Sequence, residues 1–73
     1  MAVQIVMDRT GDRRYVFDPQ DSEALAEAER RFNRWTALGD TAAVRTAAGE
    51  SRRVTTFDAA AEETLFFPRL VGG

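Results

Sequence analysis

The stretch DPQDSEALAEAERRFNRWTALG, residues 18–39, decides the fold. Leu25, Ala28, Phe32 and Trp35 recur at helical spacing, so one side of this segment is apolar. Asp21, Glu23, Glu27 and Glu29 come early, and Arg30, Arg31 and Arg34 come late. That order complements a helix dipole, and the charges read as a solvated face. Pro19 suits a first helical position and Asp18 can cap it, while Asp21 or Ser22 is an equally good cap one turn later. The helix is expected to run to about Leu38, with Gly39 as a left-handed stop. Its apolar stripe must be buried against something, and the flanking sequence offers only β segments.

Upstream, Val3, Ile5 and Met7 alternate with Gln4 and Asp8, the period of a half-buried strand. Residues 9–12 turn the chain, and Arg13 to Phe17 reads as a second strand with Tyr15 and Phe17 on one face. Downstream, Thr41 to Thr46 and Ser51 to Phe57 read as two strands joined by a turn at residues 47–50. Asp58 can cap a short helical turn through Glu63. Residues 64–67 form a strong β segment, and Pro68 ends its hydrogen-bond ladder. The order is ββ-α-ββ-β: an α+β domain over residues 1–70, with one amphipathic helix on a sheet of four or five strands and a flexible tail at residues 71–73. The expected core is Val3, Ile5, Met7, Tyr15, Phe17, Leu25, Ala28, Phe32, Trp35, Val44, Val54, Phe57 and Leu65.

Composition narrows the function. Cysteine and histidine are both absent from the 73 residues, so the core must rest on apolar packing, without disulfides or a Cys/His zinc site. General acid–base work usually calls on histidine or on carboxylate pairs, and these carboxylates sit in turns and on one helix face. Nucleophilic catalysis lacks Cys and Lys, and Ser22 and Ser51 read as a cap and a strand residue. Gly11 and Gly49 are isolated turn glycines, not a phosphate-cradling loop. The expectation is a non-enzyme with no cofactor. A net charge of −2 argues against non-specific nucleic-acid binding. No apolar run approaches the ~20 residues of a membrane span, and the N-terminus has no signal-peptide pattern. A reducing, bacterial-type cytoplasm fits the missing cysteine. All ten basic residues are arginine, so no lysine amine is offered for conjugation.

Two features suggest contact or attachment. Phe66 and Phe67 are adjacent, and in a strand one of them faces away from the core. Gly72 and Gly73 carry no side chains, so a tail containing them can pass through a narrow channel and present a carboxylate for activation.

The opening residues 3–11, VQIVMDRTG, resemble the first strand and Thr-Gly turn of ubiquitin and its relatives. Residues 18–21, DPQD, resemble that family's helix start, and residues 63–73, ETLFFPRLVGG, resemble its last strand and tail. The matching stretches cover about half of the chain. The resemblance implies a β-grasp-like fold whose first and last strands are parallel neighbours. It implies activation of Gly73, next to Gly72, by a partner adenylating enzyme, with Arg69 and Leu70 in the tail and Phe67, alongside Phe66, at a partner-binding patch. Sulfur carriers of molybdopterin and thiamin synthesis share that fold and tail, which keeps a thiocarboxylate role open. Pro68 and Val71 depart from the family pattern, and the absence of lysine fits a modifier used singly, or a carrier. The competing expectation is a plain interaction domain or homodimer, adaptor-like and free of conjugation chemistry. An antiparallel four-stranded sheet crossed by Leu65 to Leu70 would use the same residues.

Overall fold

The computed structural model describes residues 1–46 and 48–68. Its elements follow the expected order: β1 (Ala2–Asp8), β2 (Gly11–Phe17), α1 (Ser22–Ala37), β3 (Thr41–Arg45), β4 (Ser51–Val54) and β5 (Glu63–Phe67). Among the described residues, the five strands form one mixed sheet in the order β2-β1-β5-β3-β4, with α1 packed on one side. β1 pairs in parallel with β5, and Ile5 lies opposite Leu65. The other pairings are antiparallel. The four-stranded alternative is therefore not adopted: β5 lies within the sheet, between β1 and β3.

Local chemistry sets the helix ends. Asp21 is the N-cap, its Oδ1 accepting from the backbone N–H groups of Glu23 (3.0 Å) and Ala24 (3.3 Å). Asp18 instead closes the preceding turn by accepting from the Gln20 N–H at 2.9 Å. At the other end Gly39 adopts φ +102°, and the N–H groups of Gly39 and Asp40 donate to the carbonyls of Thr36 and Trp35. This pair of hydrogen bonds is a Schellman closure, and it returns the chain into β3. The short helical turn expected after Asp58 is not formed. Asp58 Oδ1 accepts from the Ala60 N–H at 2.9 Å and the chain turns directly into β5. β4 ends at Val54, three residues before the expected end at Phe57.

The core centres on Phe32, which is fully buried. Its ring meets Phe57 and Phe66 edge-to-face, at centroid distances of 5.9 and 5.6 Å. Val6 and Ala42 complete this cluster, and Tyr15, Trp35 and Val54 pack around it. Burying a phenylalanine of this kind contributes about 1.5–3 kcal/mol, and the edge-to-face pairs add to that.

The expected core needs a partial correction. Ile5 is buried, Val3 is half-buried and Met7 is exposed, but all three lie on the helix-free face, and Gln4 and Val6 face the helix. Alternation identifies two faces of a strand without saying which is inward. Gln4 is buried because its Nε2 donates to the Ala28 carbonyl at 2.9 Å and its Oε1 accepts from Arg31 Nη1 at 2.7 Å. With both ends of the amide bonded, the usual cost of burying it is met. The same alternation puts Phe66, not Leu65, against Phe32.

Candidate functional site

Three places bear on function: the sheet face without the helix, the segment following β5, and the arginine-bearing surface of α1. On the helix-free face, the register aligns Arg14, Ile5, Leu65, Ala43 and Arg53 in one row across the sheet. The middle three are buried although no helix covers them. The arginines at the two ends have long apolar stems that can lie along such a row with the charge left in water. A second row runs Val16, Val3, Glu63, Arg45 and Ser51. Within it Arg45 and Glu63, directly opposite each other, pair at 3.6 Å. Val16 is 62% exposed and Met7 37% exposed on this face.

Phe67 closes β5 opposite Thr41 and is half-buried. It and Met7 each lie one residue beyond the Val6–Phe66 pair, on the helix-free side. Phe66 is a correction: expected at a partner-binding patch, it is 0% exposed and belongs to the core beneath α1. Strand alternation assigns the two phenylalanines to opposite faces, and the ring of Phe32 selects Phe66. Arg69, Leu70, Gly72 and Gly73 lie outside the described residues.

Sequence reasoning missed the arrangement around Arg31. Its guanidinium lies 4.2 Å from the Tyr15 ring centroid and bonds Gln4. The signal was a glutamine inside an apolar run, read as outward because it is polar. On the same helix surface Arg30, Arg31, Arg34 and Glu27 line an open hollow of about 230 Å³. A larger hollow of about 590 Å³ lies by the β3–β4 hairpin, and its arginines, Arg45 and Arg52, are matched to Glu63 and Asp58 at 3.6 and 3.9 Å.

Among the described residues no cluster of three or more Asp or Glu is placed to hold a metal ion, and no helix is long and apolar enough to cross a membrane. Comparison of the chain with family models, with curated proteins and with solved structures returned no match.

Proposed function

We propose that this chain is a β-grasp protein of the ubiquitin-like kind, used as a modifier or carrier at Gly73. The observation that carries this reading is the strand order β2-β1-β5-β3-β4 with its parallel β1/β5 pair. The parallel pairing of the first and last strands is what the resemblance of residues 3–11 and 63–73 implied. The strand order also makes β5, an interior strand, the element that delivers the chain to Pro68 and onward to Gly73.

The chemistry belongs to partners. An adenylating enzyme would join the Gly73 carboxylate, free at a chain end or freed by a peptidase, to the AMP moiety of ATP, releasing pyrophosphate. A thiol or amine would then displace AMP and leave a thioester or amide on Gly73. Attack by the terminal sulfur of a partner persulfide would instead displace AMP and give an acyl disulfide, and a second partner thiol would cleave it to the thiocarboxylate, leaving the two partner sulfurs as a disulfide. Arg69 and Leu70 would be read by the enzyme, and Gly72 would allow close backbone approach. With no lysine in the 73 residues, chains linked through lysines of this domain cannot form.

Mass spectrometry of protein tagged near Met1 and recovered from its host tests the reading. A covalent adduct or thiocarboxylate at Gly73, lost in Gly73→Ala, is the expected result. Recovery of unmodified protein in non-covalent complexes alone would sink it.

The exposure of Met7 beside Phe67, with Val16 exposed farther along the same face, favours a second reading, a plain protein-binding module that uses the helix-free face. Its complexes would survive Gly73→Ala and be lost in Met7→Glu/Phe67→Glu.

A further inference from the structure

The hollow on α1 has a feature that the sheet face lacks. Arg30, Arg31 and Arg34 bring three guanidinium groups to its rim against one carboxylate, Glu27. Among the described residues the ion pairs within 4 Å are Arg45–Glu63 and Arg52–Asp58, so none of the three is matched by a carboxylate. The chain as a whole carries −2, and this patch therefore runs against its overall charge.

Arg31 is also ordered in advance. It donates to Gln4 Oε1 at 2.7 Å and stacks over Tyr15 at 4.2 Å, which fixes one fork before any ligand arrives. Gln4 is itself held by the Ala28 carbonyl, so the guanidinium is anchored through the sheet to the helix backbone. A preordered donor loses less entropy on binding than a free arginine would.

We infer that this hollow binds a phosphate monoester group. Three adjacent forks exceed what one carboxylate, with two acceptor oxygens, can use. A phosphate monoester brings three acceptor oxygens and about −1.5 to −2 charges. A nucleic-acid strand would need a row of cations along its path, and α1 instead carries Asp21 and Glu23 toward its start. The inference is independent of any chemistry at Gly73.

The test is an NMR titration read at the arginine Nε–Hε signals, at constant ionic strength set with chloride. The probes are inorganic phosphate, a phosphoserine peptide and the same peptide with aspartate in place of phosphoserine. Saturable shifts of Arg30, Arg31 and Arg34 with the first two probes, and at least tenfold weaker binding of the aspartate peptide, are expected. Arg30→Gln/Arg34→Gln, exposed positions that leave the core intact, should weaken phosphate binding at least about tenfold. Arg30→Lys/Arg34→Lys keeps the charge and loses the forks, and should bind nearly as weakly as the glutamine variant. Tighter binding of the phosphopeptide than of inorganic phosphate assigns the group to a protein partner, and equal binding assigns it to a small phosphate. Equal response to the aspartate peptide, shifts that do not saturate, or full binding by either double variant overturns the inference.

Discussion

The Oε1 atom of Gln4 accepts a 2.7 Å hydrogen bond from Nη1 of Arg31, while the Gln4 amide nitrogen donates to the Ala28 carbonyl one helical turn earlier. This side chain couples β1 to α1 on the inward face of β1, the face that also carries Val6. With Gln4 satisfied on the helix side, Val6 reaches Phe32, and Ile5 turns to the open face. Ala28, fully buried, is small enough to admit the amide.

Gln4→Ala should therefore destabilise the protein by about 2–3 kcal/mol, through a buried void and a lost partner for Arg31. Gln4→Met fills the volume without the bonds and should cost about 1 kcal/mol. Urea unfolding followed by circular dichroism measures both. Values within about 0.5 kcal/mol of the parent, as at a surface position, would show that Gln4 faces solvent.

Phe66 and Phe67 should differ sharply. Phe66 is fully buried with its ring centroid 5.6 Å from that of Phe32, so Phe66→Ala should cost about 3–5 kcal/mol. A chain of this length has on the order of 4–10 kcal/mol in total, so that variant should be largely unfolded or close to it. Phe67→Ala, on the half-buried open side, should cost about 1 kcal/mol. Thermal melts of the two variants decide the matter, and equal losses would contradict the facing assigned here.

The helix ends make a third comparison. Asp21→Ala should cost about 1 kcal/mol, because two backbone N–H groups lose their acceptor. Asp18→Ala should cost less than about 0.5 kcal/mol, since Asp18 supports only the preceding turn. Gly39→Ala meets no atom within 4 Å of the added Cβ, so its cost of about 1 kcal/mol is the backbone's alone, from φ +102°. Denaturant midpoints would rank the three, and a larger loss for Asp18→Ala than for Asp21→Ala would move the cap.

Much of the architecture was legible in residues 18–39. The spacing of Ala28 and Phe32 and the stop at Gly39 required one helix laid on a sheet. Residues 3–11 and 63–73 pointed by resemblance to the parallel pairing of the first and last strands, and those strands are neighbours. The facing of β1 was not legible. A glutamine between Val3 and Ile5 looks like a solvent residue until its partners, 24 and 27 positions away, are brought to it. The helical turn expected after Asp58 stops at a single tight turn: Ala60 N–H donates to the Asp58 carboxylate and Ala61 N–H to the Asp58 carbonyl, and the chain then enters β5 at Glu63. For the candidate site, alternation put Phe66 and Phe67 on opposite faces, while which of them is outward, and the grouping of Arg31 with Tyr15, required the fold.

The amino-acid sequence by itself determined the kinds of element, their order and their ends, because spacing, caps and turn glycines act within a few residues along the chain. It also removed histidine, cysteine and lysine chemistry from these 73 residues. The tertiary structure alone decided which side of β1 and β5 is the core and which arginine is held rigid. Those choices depend on hydrogen bonds and ring contacts between residues far apart in the chain, and such contacts have no local pattern to announce them.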